Sequence, residues 1–222
     1  MPESQMEEMG IQAFDEMKRT QRVDPDPALN AYVQCVARPI AVASRSGLPV
    51  DKWEVRVFED KTANAFALPG GKIGVNTGLF RVARTPGQLA AVLGHEVGHV
   101  LAGHGNERVS ENLVTQLGIA GTAALLGQGA TPEARQKHDL LMAALGLGVQ
   151  FGVLLPHSRT QEAEADLIGQ ALMARAGFDP AESVDLWKNM IQDAGGAAPP
   201  EWLSTHPASE NRILKLEANL PK

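Results

Sequence analysis

Apolar and polar positions along this chain follow two periods, and the switches between them divide it into elements. Apolar residues recur at helical spacing over residues 4–20 and 27–44, with the turn signal Asp24-Pro25-Asp26-Pro27 between them. The period then falls to two. Trp53 to Phe58 alternates, Asn64 to Leu68 reads as a second strand, and Lys72 to Asn76 reads as a third after Pro69-Gly70-Gly71. A two-glycine turn between short strands predicts a small antiparallel sheet. Helical spacing returns at Thr85, an N-cap followed by Pro86 at the first helical position and Gln88 at the third. Leu89, Val92, Leu93, Val97, Val100 and Leu101 cover much of this helix and predict burial on several sides. Later helix starts fall near Thr131-Pro132-Glu133, at Ser158 with Gln161 completing a capping box, and at Asp179-Pro180-Ala181-Glu182. The helix from Ser158 is predicted to stop around Gly177, and a closing helix to begin near Pro207 after a Gly/Ala/Pro loop over 194–200.

The pattern predicts a mainly helical α+β protein. No internal repeat or linker divides it, so one domain over residues 1–222 is expected: N-terminal helices over 1–45, a sheet over 53–77, and a helical part over 85–222. A net charge of -6, without clustered Lys or Arg, excludes a nucleic-acid footprint. The single cysteine, Cys35, cannot form an internal disulfide and is expected to be a buried small apolar residue. Met1-Pro2-Glu3-Ser4 has neither a basic nor an apolar stretch, so no signal peptide is expected in this chain. Residues 117–126 and 140–155 are strongly apolar but shorter than the roughly 18 to 20 residues of a membrane span. They suit buried helices as well as contact with a membrane or an apolar substrate.

Candidate chemistry sits inside the Thr85 helix. Residues 95 to 99 read His95-Glu96-Val97-Gly98-His99, the HExxH pattern. Histidines four apart project about 40° from one another on a helix, close enough to grip one metal ion with Glu96 beside them. A structural zinc site would ordinarily use four protein ligands, often cysteines, and only Cys35 is present. A catalytic site keeps three ligands and one open position, so a third ligand is required. HExxHxxGxxH fails here, because Ala102 and Gly105 stand where Gly and His are needed. His104 falls roughly 140° around an ideal helix from His99, which suggests a solvent-facing residue or one behind the ligands. The better source is Glu162-Ala163-Glu164-Ala165-Asp166. Glu162 and Asp166 share a helix face, so Glu162 can bind zinc while Asp166 accepts a hydrogen bond from a ligand histidine. Glu164 points about 160° away and is expected to be a solvated charge.

HEVGH, then Ser158 to Asp166, then Ser204-Thr205-His206-Pro207, in this order and covering Asn64 to Ile213, resembles the gluzincin peptidases of the CAAX-prenyl-protease and HtpX type. The nearest branch by these motifs is the BepA/LoiP-like bacterial proteins. The resemblance implies a zincin-like domain, one Zn2+ per chain on His95, His99 and Glu162, Glu96 as general base and acid, and Asp166 behind the ligands. It implies that Asn64, Ala65, Phe66 and Ala67 form an active-site edge strand on which substrate backbone pairs. It also places His206 and Arg212 near the metal, where either offers an oxyanion contact, or His206 fills the open zinc position and keeps the enzyme latent. The only tyrosine, Tyr32, lies too far away in sequence for the oxyanion role. His157 departs from the aromatic residue common at its position, which puts pocket shape in doubt. By the same resemblance, membrane-embedded relatives carry a transmembrane pair where this chain has apolar segments that are short and Gly-rich for a span.

Edge-strand pairing reads backbone rather than side chains. The expected function is therefore zinc-dependent endopeptidase cleavage of extended or unfolded polypeptides with weak sequence preference. By resemblance, the setting is periplasmic or outer-membrane-associated, the substrates are unfolded or misassembled envelope proteins, and contact with a membrane or an outer-membrane complex is implied. Two alternatives stand beside it: a chaperone-like assembly factor for outer-membrane proteins with little proteolysis, and a metal-dependent hydrolase of a non-peptide bond.

Overall fold

The computed structural model describes residues 2–110, 157–194, 202–203, 206 and 210–220. Its helices are α1 (Glu3–Thr20), α2 (Pro27–Ser44), α3 (Pro86–Leu101), α4 (Arg159–Arg175), α5 (Glu182–Ala194) and α6 (Glu210–Ala218), and its strands are β1 (Glu54–Phe58), β2 (Ala65–Leu68) and β3 (Lys72–Asn76). The protein is mainly helical with one small sheet, as its periodicity predicts. Capping sets the helix starts. Asp26 Oδ1 accepts from the Ala28 N–H at 2.8 Å, and Thr85 Oγ1 accepts from the Gln88 N–H at 3.0 Å. Ser158 and Gln161 form the full reciprocal box at 3.2 and 3.0 Å. The helix start near Thr131, the apolar segments 117–126 and 140–155, the loop over 195–200 and Pro207 lie outside the described residues. Among the described residues, no helix is long and apolar enough to cross a membrane.

The sheet corrects one expectation. Strand order is β1-β3-β2, and β2 pairs antiparallel with β3, Ala65 opposite Val75 and Leu68 opposite Lys72. β1, however, runs parallel to β3, Glu54 opposite Lys72 and Phe58 opposite Asn76. The sheet is mixed because the chain leaves β1, crosses to the far edge as β2, and returns through the Gly70-Gly71 turn between the two. β2 is therefore an edge strand.

Alternation along the strands assigns the two faces of the sheet. Val57, Ala65, Ile73 and Val75 join the main core with Val36 and Ile40 of α2 and Leu89, Val92 and Leu93 of α3. Phe58, Phe66 and Leu68 face the other way, against Ala13, Phe14 and Met17 of α1. Phe66 lies across β3 at Gly74, where an added Cβ would stand 2.1 Å from the ring, so only glycine fits beneath it. Cys35 proves exposed rather than buried, because α2 buries its Val33, Val36, Ala37 and Ile40 face and turns Cys35 outward.

Helices α3 and α4 approach one another unusually closely. A Cβ at Gly94 would stand 3.0 Å from the Gly169 carbonyl oxygen, one at Gly98 3.0 Å from the Ala165 oxygen, and one at Gly169 2.9 Å from the His95 nitrogen. The contacts run in opposite order along the two helices, so they are antiparallel and pack backbone to backbone. Gly169→Val is expected to force them apart, destabilising the fold by about 2 kcal/mol and lowering Tm by about 6 °C. Thermal melting checks this against Gly105→Ala, whose Cβ meets only the Met6 Cε at 3.9 Å.

Candidate metal centre

The glycine seam brings the third ligand candidate to the motif. His95 and His99 project from α3, Glu162 from the first turn of α4, and His206 reaches them from the segment before α6, all buried. Each offers one ligand atom, and all four atoms lie within 4.8 Å of one another. His95 Nε2 is 3.0 Å from His99 Nε2 and 3.2 Å from His206 Nδ1. Glu162 Oε1 is 2.9 Å from His206 Nδ1 and 3.4 Å from His99 Nε2. A tetrahedral zinc with ordinary bond lengths has ligand-to-ligand edges of about 3.3 Å, so spacing and donor types both fit the ion.

Behind these groups, His95 Nδ1 lies 3.0 Å from Asp166 Oδ1, an orientation that leaves its Nε2 facing the cluster. Burial alone would push His95 down, but the Asp166 and Glu162 carboxylates outweigh it and hold it up at about 9. A divalent cation at the same place competes with that proton. Burial also acts on His99, which is held well below its ordinary range. For Glu162, burial raises the carboxyl, and contacts from His206, His95 and His99 overcome it and hold it well below the carboxylate range. Asp166 is likewise lowered against burial, by His95 and Arg212.

The other predicted residues fall into place unevenly. Glu96 is buried beside the cluster, its Oε1 accepting from Trp202 Nε1 at 2.7 Å and lying 3.4 Å from His206 Nε2. Arg212 is 5% exposed. It donates through Nε and Nη2 to Asp166 at 2.7 Å, pairs through Nη1 with Glu162, and stacks on Trp187 at 4.0 Å. It is not among the residues lining the cavity over the site. That cavity, about 540 Å³, is lined by Glu96, His99, His157 and His206 together with Asn64, Ala65, Phe66 and Ala67. Met6, Met9 and Gly10 of α1 also line it.

Two expectations are sharpened. His104 is 2% exposed and its Nδ1 lies 2.9 Å from His99 Nδ1, so of its two readings it takes the one behind the ligands. An ideal-helix projection does not apply at this position because α3 ends at Leu101 and Gly103 adopts φ 71°, which re-aims the chain. Glu164, expected to be merely solvated, keeps its side chain 57% exposed yet places Oε2 3.3 Å from His104 Nε2. Sequence reasoning missed two neighbours, Trp202 and Arg108, and left the role of a third, His157, open. Trp202 precedes His206 by one helical turn, closed by the His206 N–H donating to the Trp202 carbonyl at 2.8 Å. Arg108 lies one turn beyond His104 in the helical segment 104–110 and lines the cavity. His157 stacks on His99 with ring centroids 3.8 Å apart and planes 30° apart, and burial pushes it down to about 3, so it serves as the flat wall that an aromatic residue would supply.

Comparison with known proteins agrees with this geometry. Residues 25–220 match peptidase family M48. The mitochondrial metalloendopeptidase OMA1 of Schizosaccharomyces pombe is 39% identical over 186 residues, 83% of this chain and 51% of that protein. OMA1 of Danio rerio is 34% identical over 221 residues, 94% of this chain and 44% of that protein. The beta-barrel assembly-enhancing protease of Yersinia pestis is 30% identical over 197 residues, 85% of this chain and 38% of that protein. The chain thus spans about half or less of the length of these relatives. With its family matched across nearly its whole length and a cluster of side chains able to hold a metal ion formed by its own motifs, the chain belongs to peptidase family M48.

Proposed function

We propose that this chain is a zinc-dependent endopeptidase that cleaves extended polypeptide segments. One observation carries the reading: a buried four-donor set of His95, His99, Glu162 and His206 lies, beside Glu96, at a cavity lined by residues of the edge strand β2. His95, His99 and Glu162 would hold zinc, which when bound would supply Lewis acidity toward water and the scissile carbonyl. Glu96 takes the proton of the attacking water and delivers it to the leaving amine. Residues Asn64 to Ala67 align the substrate as an added strand, which selects backbone conformation over side-chain identity. An oxyanion contact falls to His206 rather than Arg212, whose guanidinium is committed to Asp166 and Glu162.

His206 fits a second state of the same site. Its Nδ1 sits among the other three ligand atoms, so it can fill the position that water needs and keep the enzyme latent. Zinc content and casein cleavage of the wild type and His206→Ala test both points. About one zinc per chain is expected, with faster cleavage by His206→Ala. Slower cleavage by that variant would remove the latency and favour the oxyanion role. No zinc after reconstitution would overturn the site. The finer setting, a bacterial envelope protease acting on unfolded or misassembled outer-membrane proteins, draws support from the Yersinia pestis relative. The OMA1 relatives are mitochondrial, so the setting is a separate proposal from the chemistry.

A further inference from the structure

His99 faces two demands. To bind a metal through Nε2 it must carry its proton on Nδ1, and a buried Nδ1–H needs an acceptor. The group in front of it is another imidazole, His104 Nδ1 at 2.9 Å, and the other nitrogen of that ring faces Glu164 Oε2 at 3.3 Å. The carboxylate only accepts, which places the His104 proton on Nε2. His104 Nδ1 is then a bare lone pair, the His99 proton must sit on Nδ1, and the His99 Nε2 lone pair faces the cluster. The opposite order would aim a lone pair of His104 at a carboxylate and a proton of His99 at His95. His95 has its own orienting carboxylate in Asp166, at 3.0 Å from Nδ1. The His104–Glu164 pair is the counterpart for His99, one ring further out.

We propose that His104 and Glu164 are positioning residues of the metal centre, fixing His99 in the tautomer that presents Nε2 to the metal. The proposal rests on the zinc-site reading above. The three rings His99, His104 and His157 are also close enough to suggest a second metal position. Their geometry opposes it: His157 is stacked on His99, so the lone pairs of those two rings do not converge, and the 2.9 Å between His99 and His104 is a hydrogen-bond distance.

The experiment is competition of zinc against a chromophoric chelator, with zinc stoichiometry and metal-free thermal melting, on the wild type, Glu164→Ala, His104→Phe and His104→Gln. His104→Phe removes the acceptor, and zinc affinity is expected to fall by about 10- to 100-fold, with a fall of about tenfold for Glu164→Ala. His104→Gln can accept from His99 through its amide oxygen and donate to Glu164 through its amide nitrogen, so it is expected to restore most of the affinity. Metal-free melting should be nearly unchanged in Glu164→Ala, which a general structural role would not allow. Should His104→Phe fail to fold, Glu164→Ala decides the question, since that side chain is more than half exposed. Zinc affinity within about threefold of wild type in both Glu164→Ala and His104→Phe would overturn the proposal. So would a second zinc equivalent that disappears in His104→Phe, because the rings would then be ligands themselves. A wild type that binds no zinc brings down the site reading and this inference together, an outcome distinct from unchanged variants of a zinc-loading wild type.

Discussion

Glu96→Gln is expected to lower kcat for casein cleavage by about a thousandfold while leaving zinc in place. The substitution keeps shape and burial and removes the charge and the ability to take a proton. It also largely spares the local scaffold, because Glu96 Oε1 accepts from Trp202 Nε1 at 2.7 Å and an amide oxygen can still accept there, though less strongly. Neither His95 nor His99 bonds to Glu96, so the ligand spacing should survive. Single-turnover cleavage, zinc content and melting temperature, measured together, make the check. Cleavage within tenfold of wild type would mean that another group moves the proton. Loss of zinc together with activity would mean that Glu96 supports the cluster rather than the chemistry.

Arg212→Ala is expected to destabilise the protein by about 4 kcal/mol, a fall in Tm of about 10 °C. Arg212 bonds two buried carboxylates at once, Asp166 and Glu162, and is itself buried. Truncation leaves both carboxylates short of positive charge in a site from which water is largely excluded. Zinc on Glu162 supplies part of that charge, so the loss should be larger after chelation than before it. Melting with and without chelator reads the difference. If Arg212 instead acts on the oxyanion, the opposite pattern is expected: kcat falls steeply and the chelator makes no difference to the change in Tm.

What was legible in the sequence follows from how local each determinant is. Helix starts at Asp26, Thr85 and Ser158 depend on side chains within three residues, and each forms its bond in the structure. His95 pairs with His99, and Glu162 with Asp166, by the helical period, whereas joining the two pairs rests on the donor chemistry of zinc and on the family resemblance, since no period links the two helices. The parallel run of β1 beside β3 is not local, since it depends on where the chain passes between two strands, and a turn signature describes only the hairpin. For His104 the sequence left two readings open, because a helix projection assumes an unbroken helix, whereas α3 ends at Leu101 and Gly103 takes positive φ. Trp202 escaped for another reason. Its partner Glu96 lies 106 residues away, and no period links them.

The match to peptidase family M48 begins at residue 25, yet Met6, Met9 and Gly10 of α1 line the cavity and Phe14 covers Phe58 and Phe66. The candidate ligands thus come from within the matched span, and this part of the cavity lining from the helix before it. On the endopeptidase reading, substitutions at Met6 or Met9 would reshape the space offered to a peptide and leave every residue of the four-donor cluster unchanged.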